Sequence, residues 1–302
     1  MARRFSNVRT WTGSVRIVGA LATSLVVAFP LLTPPFARAQ DPAEKLPSGE
    51  SILDKYVEVT GGAAAYRKLT NRKLTGTMNI PSQGLTMKLT SYGASANKSY
   101  TLIESEAFGQ IEFGTDGKVA WQIHPVMGGP RIMEDAERDG AMREATFNAD
   151  LEWRSIYAKV ECVGMENVGE TPCYKVQITP NGENAKPETA WYAKDTSLLV
   201  KRDSIAESPM GEIPTSLLFD DYKKVDGVLF SHRQTVTQMG SEINFTTDSL
   251  AHNVEIPADR FDLPEGVKQL LAEAEKAKSG GPKDADKKPD DTEKHEKPDD
   301  PK

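Results

Sequence analysis

Four histidines are the side chains of this sequence best suited to acid–base or metal chemistry. They are His124, His232, His252 and His295. An imidazole titrates near neutral pH and is a common metal ligand. Catalysis would require His124 or His232 to converge with carboxylates in a cleft. No His-Glu-x-x-His, Gly-x-Ser-x-Gly or glycine-rich phosphate loop occurs. The sequence therefore predicts a protein that is not an enzyme and has no cofactor.

The two cysteines, Cys162 and Cys173, could form a disulfide in an exported protein. A bridge across so short a loop would add about 2–3 kcal/mol. The strand alternation opposes it, because Cys162 shares a face with Val160 whereas Cys173 shares one with Lys175. A turn near residues 169–170 would place Cys173 across from about Glu166, although a bulge could bring the cysteines together. The pairing stays open, and two cysteines are too few for a zinc site.

The first 39 residues have the form of a secretory signal peptide. A leader with several arginines precedes an apolar run over residues 17–32, and Ala37-Arg38-Ala39 has the small-x-small form of a cleavage site. The run is short and broken for a membrane span. We expect cleavage after Ala39, a periplasmic or otherwise exported protein, and no membrane-spanning segment afterwards.

The organisation after the signal peptide is a linker over residues 40–50, one domain over 51–266 and an extension over 267–302. The extension begins as a short helix. From residue 273 it is nearly all Lys, Asp, Glu, Pro, Ala and Gly, a composition that predicts a disordered charged tail.

The charge of the mature chain argues against nucleic acid as a partner. Removing the five arginines of residues 1–39 changes the formal charge from −7 to −12. Binding to phosphates requires clustered Lys and Arg on a basic surface. An anionic membrane surface is disfavoured for the same reason.

Apolar and polar residues alternate with a period of two over residues 72–124. Period two is the spacing of side chains on a β-strand, so this stretch predicts strands with one apolar face. The apolar members are Leu74, Gly76, Met78 and Ile80, then Leu85, Met87 and Leu89, then Tyr100 and Leu102, then Val119, Trp121 and Ile123. Helix, a second sheet or an apolar ligand could cover that face.

Further strands are predicted near residues 158–165, 173–179, 189–193, 198–204, 216–222, 228–238 and 241–250. A helix over residues 51–60 should end at Gly61-Gly62, and residues 63–69 form a second helical piece. Residues 135–150 favour a central helix. The fold class is mainly β (α+β), with about ten or eleven antiparallel strands in an open sheet curled over helices.

Several segments occur in an order that resembles a known family. They are the Gly61-Gly62 stop, residues 116–121 (DGKVAW), the hairpin 163–176, the pair 191–192 and 198–202, residues 221–228 (DYKKVDGV), and the closing 254–257 and 261–264. Together they resemble the outer-membrane lipoprotein-sorting proteins of bacteria and their LolA-like relatives. The resemblance covers residues 51–264. It implies a curved, unclosed β-barrel whose concave apolar face is partly plugged by helices and can receive acyl chains.

This resemblance leads to a predicted lipid pocket and cover. The pocket candidates are Leu74, Met78, Leu85, Met87, Leu89, Tyr100, Leu102, Trp121 and Ile123, and the candidates for a movable lid are Met133, Met142 and Phe147. The function it implies is an exported binding protein for acyl chains, lipid or lipoprotein, with envelope proteins as further partners. An envelope sensor or scaffold with a filled core, and an envelope hydrolase, are the alternatives.

Overall fold

The computed structural model describes residues 45–182, 185–208 and 211–279. The predicted signal peptide, residues 40–44 of the linker and residues 280–302 of the predicted tail lie outside the described residues. The tail was predicted to be disordered from residue 273, but residues 273–279 are the end of a helix, Glu265–Ser279, so that part of the prediction is wrong. No helix in the described part of the chain is long and apolar enough to span a membrane.

Five α-helices are present in the described residues: α1 Gly49–Thr60, α2 Ala63–Tyr66, α3 Asp135–Glu144, α4 Trp153–Ile156 and α5 Glu265–Ser279. The first begins where the Ser48 side chain accepts a hydrogen bond from the backbone N–H of Ser51, at 3.2 Å. It ends at Gly61, whose φ of 149° favours glycine.

The predicted central helix is shorter than expected. It stops at Glu144, and Asn148 adopts a positive φ of 56°. The Asn148 side-chain amide donates to the Tyr66 backbone carbonyl at 2.9 Å, so this segment bonds to the α2 region and does not continue the helix.

Thirteen strands form one sheet in the described residues. They are β1 Asn71–Ile80, β2 Leu85–Ala94, β3 Lys98–Ser105, β4 Gly109–Asp116, β5 Ala120–His124, β6 Gly129–Ile132, β7 Tyr157–Val168, β8 Thr171–Pro180, β9 Glu188–Ala193, β10 Leu199–Ser208, β11 Gly211–Val225, β12 Val228–Gln238 and β13 Ser241–His252. The mainly β class and the open antiparallel sheet are confirmed. The number of strands exceeds the prediction of ten or eleven, and β6 lies outside the segments predicted as strands.

The strand order is β6-β5-β4-β3-β2-β1-β13-β12-β11-β10-β9-β8-β7. Every pairing is antiparallel, and β1 joins the two halves by pairing with β13. The edge strands β6 and β7 are connected in sequence through α3 and α4. The sheet is therefore two consecutive meanders joined at the chain's first and last strands, with the helical insertion linking its edges.

The main core lies between the first helices and one face of the sheet. Ile52, Leu53, Tyr56 and Val57 of α1 pack in one cluster with Trp153 of α4. The sheet contributes Val160, Val176, Ile178, Ala190, Tyr192, Leu199 and Val228. Burial of each large apolar side chain contributes roughly 1.5–3 kcal/mol. We call the sheet face covered by these helices the inner face and the opposite one the outer face.

The segment after β13 packs on the outer face. The Arg260 guanidinium lies over the rings of Tyr92 and Tyr100, 5.0 Å from each centroid. At the start of α5, Val267 is fully buried and Gly266 stands against Pro130 of β6. This segment therefore shields aromatic residues that would otherwise be exposed to solvent.

Candidate functional site

The strand register separates the nine predicted pocket residues between the two faces. Met78 pairs with Met87, and Leu89 pairs with Ile103, whereas Tyr100 pairs with Tyr92. Residues paired across antiparallel strands share a face. One face carries Leu74, Met78, Leu85, Met87 and Leu89, and the other carries Tyr100, Leu102, Trp121 and Ile123. The expectation that all nine share one face is therefore wrong.

The first five lie on the inner face. Thr115 is in register with Ser99 and, through β2, with Gly93 and Arg72, which places it on the same face as Met78. The Thr115 hydroxyl donates to the Met142 sulfur at 3.2 Å. The helical insertion therefore covers the face that carries the methionines.

Trp121 lies on the outer face and is almost fully buried there by neighbouring aromatic residues. Its ring lies 6.2 Å from the Tyr100 ring, which is itself covered by Arg260. Hydrogen bonding to Glu112 and burial together raise the pKa of Tyr100 to about 12, burial being the larger cause. These aromatics form a small outer core with the chain's C-terminal segment.

A second apolar cluster, which we call the apolar trough, lies on the inner face of β1 to β4 and β13. Met78, Met87 and Ile103 are buried at its centre. The partly buried members are Ile80, Leu89, Ile111, Phe113, Ile243 and Phe245. These nine residues define the apolar trough, and they form a cluster separate from the core under α1.

The trough's neighbour α3 is loosely held. It has no buried residue, and its N-cap lacks a side-chain hydrogen bond. It contacts β4 and β5 on one side and β10 on the other. Arg131 of β6 donates to both Glu137 carboxylate oxygens, at 2.7 and 2.5 Å. Few apolar contacts and a polar tether are features of elements that open at low free-energy cost.

The three predicted lid residues lie around this helix. Met142 is in α3, and Met133 precedes it, with its backbone N–H donating to the Ala120 carbonyl at 2.9 Å. Phe147 follows α3, packs against the main core and approaches the position of a Cβ on Gly93. Their movement remains a proposal.

Charged side chains that sequence reasoning missed occupy the other end of the inner face. Arg202 donates to Glu188 at 2.6 Å and to the Tyr157 hydroxyl at 3.0 Å. Asp150 accepts from the Tyr66 hydroxyl at 3.5 Å, and burial raises the pKa of this carboxyl. Arg72 projects from β1 nearby. One sequence signal was available, because Arg72 is in phase with Leu74, Gly76 and Met78 and so falls on the apolar face.

Cavities adjoin the inner face near these charged residues. A small one of about 30 Å³ is lined by Tyr56, Asp150, Tyr157, Tyr192 and Arg202, among others. It can hold about one or two waters. A larger open groove of about 580 Å³ is lined by residues of the insertion, including Met142, Phe147, Leu151 and Ile156, and by the β2–β3 turn.

The histidines do not point to acid–base catalysis. The His232 ring Nδ1 lies 2.9 Å from the Phe230 backbone carbonyl. His252 Nδ1 lies 3.0 Å from Asp226, and its ring stacks on Phe230 at 5.0 Å. His124 Nδ1 is buried without a hydrogen-bond partner in the described structure. No cluster of His, Cys, Asp and Glu suited to a metal ion occurs among the residues described.

Both cysteines are free thiols, so the bridge left open by the sequence is not formed. Cys173 pairs with Glu166, as its distance from the turn predicted, while Cys162 pairs with Val176. A bulge at Val163 does occur, but it leaves the cysteines apart. The Cys173 thiol donates to the Thr171 carbonyl at 3.3 Å.

Comparison with known proteins identifies solved structures with a similar fold. No model of a known protein family matches the chain, and no curated protein matches it. Among solved structures, a LolA superfamily protein of Nitrosomonas europaea matches with a TM-score of 0.51 and 12% identity, over 72% of this chain and 99% of the other. The protein has a LolA-like fold.

Two further structures are similar over most of their length. A DUF1329 family protein of Desulfovibrio piger has a TM-score of 0.49 and 16% identity, over 71% of this chain and 97% of that one. An outer membrane lipoprotein-sorting protein domain of Vibrio parahaemolyticus has a TM-score of 0.46 and 15% identity, over 72% and 99%. At sequence identities this low, the similarity to these structures is evidence about the fold alone.

Proposed function

We propose that this protein is an exported, non-enzymatic binding protein for acyl chains of lipid or lipoprotein in the cell envelope. The observation that carries the proposal is the apolar trough on the inner face. Its central methionines are buried, while six surrounding apolar side chains are only partly buried. A filled core would bury such residues more completely, so this surface suits an apolar ligand.

The chemistry of the trough fits acyl chains. All nine members are Met, Ile, Leu or Phe, and the two methionines face each other across β1 and β2. Methionine is unbranched and adapts its shape to varied apolar partners. Each buried CH₂ group of a chain would contribute about 0.8 kcal/mol.

The location follows from the N-terminal sequence, which has the form of a cleaved signal peptide. Export would place the protein where it meets envelope lipids and lipoproteins. The LolA-like fold, shared with the Nitrosomonas europaea protein, supports a binding function. The loosely held α3 would act as the lid over the end of the inner face that carries Arg72, with Met133, Met142 and Phe147 moving with it.

The test is native mass spectrometry of the protein purified from a cell envelope, together with displacement of a fluorescent fatty acid. We expect co-purifying lipid in the wild-type protein. Leu89→Trp should fill the trough and weaken fatty-acid binding by about tenfold or more, since loss of two buried CH₂ groups corresponds to roughly 1.6 kcal/mol. The matched control is Leu218→Trp, because Leu218 is exposed on the outer face.

Clean apo protein under gentle conditions, with no fatty-acid binding, would exclude the carrier. It would favour the alternative of a sensor or scaffold with the same fold. Equal loss of binding in Leu89→Trp and Leu218→Trp would show that binding does not use the trough.

A further inference from the structure

We propose that the ligand is an amphiphile whose anionic head group binds Arg72 and whose chain runs along β1 toward Met78. This inference rests on the proposed function and adds the chemical class of the head group. It is carried by the position of Arg72, by the absence of a close partner for its charge, and by a gradient of polarity along the inner face.

Arg72 is on the inner face beside an open backbone position. It pairs with Gly93 on β2 and with His252 on β13. A Cβ on Gly93 would lie 3.3 Å from Arg72 Nε and 3.9 Å from a ring carbon of Phe147. The glycine therefore leaves the space in which the arginine side chain lies across the strand toward the segment that follows α3.

The Arg72 guanidinium has no close counter-ion in the part of the chain that the structure describes. Among the described residues, no carboxylate comes within 4.0 Å of it, and no side-chain hydrogen bond to it is formed. The other arginine of this region, Arg202, is by contrast held by Glu188 and Tyr157. A guanidinium stays charged in proteins, and Arg72 is half-buried, so its charge is accessible to a ligand on the inner face.

Asp150 is the carboxylate that acts on Arg72 electrostatically. It lies beyond ion-pair distance, and burial raises the pKa of its carboxyl while the two arginines oppose that shift. His252, the remaining titratable neighbour on the sheet, has its pKa lowered, chiefly by burial. The gap between Arg72 and Asp150 leaves the guanidinium able to bind a ligand anion, with Asp150 as a competing negative charge.

Polarity falls along the strands from this point. At the level of Arg72 the inner face carries Ser99 and Thr115, and the next level is mixed, with Ser91 and Thr101 between Leu74 and Phe113. Beyond them come the trough residues, including Leu89, Ile103 and Ile111. From Arg72 to Met78 the distance is about 20 Å, at roughly 3.3 Å per residue. The surface thus matches an amphiphile with its head at Arg72 and a long chain beyond.

Carboxylate and phosphate are the anions that guanidinium binds best, because both accept two parallel hydrogen bonds. The experiment therefore compares palmitate, hexadecyl phosphate and hexadecanol, which carry the same chain with different head groups. Binding to the mature protein is measured by displacement of an uncharged fluorescent apolar probe. The variants are Arg72→Gln, Arg72→Lys and Asp150→Asn.

We expect the wild-type protein to bind palmitate or hexadecyl phosphate about tenfold or more tightly than hexadecanol, the effect of one charge-assisted hydrogen-bond pair. Arg72→Gln should lower the ratio of anion to hexadecanol affinity by about tenfold, because a neutral amide replaces the charged donor. Arg72→Lys should retain part of the preference. Asp150→Asn should strengthen anion binding, since it removes the competing charge.

Equal binding of all three amphiphiles by the wild-type protein would overturn the head-group assignment while the acyl-chain function stands. Binding of none of them would overturn both. If Arg72→Gln does not fold, the proposal is tested by two other measurements. The wild-type protein must bind an anionic amphiphile more tightly than hexadecanol, and Asp150→Asn must bind the anion more tightly than the wild-type protein does. The stronger of the two anions identifies the source as a carboxylate or a phosphate head group.

Discussion

Replacing Met87 by aspartate tests the assignment of the inner face most directly. Met87 is 3% exposed and lies opposite Met78 in a cluster whose members are all apolar. Loss of the methionine side chain alone costs about 2–5 kcal/mol. The carboxylate would find no partner there, so its pKa must rise, at about 1.4 kcal/mol per unit. We expect Met87→Asp to lose about 4–6 kcal/mol at pH 7, a large fraction of the 5–15 kcal/mol typical of domains.

Urea unfolding followed by circular dichroism measures this loss. Because the buried carboxyl binds its proton more tightly in the folded state, the deficit should shrink as the pH falls from 7 toward 5. Met87→Leu should cost less than about 1.5 kcal/mol. Leu218→Asp is the surface control, since Leu218 is 41% exposed on the outer face, and its effect should stay within about 0.5 kcal/mol. A Met87→Asp variant as stable as Leu218→Asp would refute the assignment.

Three other predictions concern the fold. Burial lowers the pKa of His252 from its usual 6.5, and this effect outweighs the opposing hydrogen bond to Asp226. The free energy of unfolding, measured by urea titration, should therefore decline as the pH falls below 6.5. The decline should be smaller in His252→Gln. Gly114→Ala should cost about 2 kcal/mol or more in thermal or urea unfolding, because its Cβ would overlap the backbone carbonyl oxygen of Ser99 in β3, which cannot move aside; a loss below 0.5 kcal/mol would contradict that packing. Unfolding without reductant should expose two titratable thiols, Cys162 and Cys173, and finding none would show that a bridge forms after all.

Local features of the fold were predictable because their causes are local. The Asp116 side chain accepts the backbone N–H groups of Lys118 and Val119, each at 2.8 Å, which is the turn that Asp116-Gly117 indicates. Gly61 ends α1 for the same kind of reason. The predicted position of Cys173 opposite Glu166 needed only the turn and a count of residues.

Features that depend on distant segments were not predictable in this way. Nothing near Trp121 in sequence shows that the chain's C-terminal segment will cover the neighbouring tyrosine with Arg260. The strand β6 was missed because Gly128-Gly129-Pro130 is typical of loops, yet pairing with β5 extends it. A proline is tolerated there because β6 is an edge strand.

The sequence by itself determined which residues alternate on each strand and where several turns lie, and it predicted an export signal. Only the tertiary structure decided which residues of neighbouring strands lie on the same face of the sheet. The register depends on hydrogen bonds to other strands, and a shift of one residue moves every side chain of a strand to the opposite face. That register divided the predicted pocket between an inner trough and an outer aromatic cluster. The tertiary structure also placed Arg72 near Asp150. These two charged residues are far apart in sequence, so their electrostatic interaction could not be predicted from the sequence.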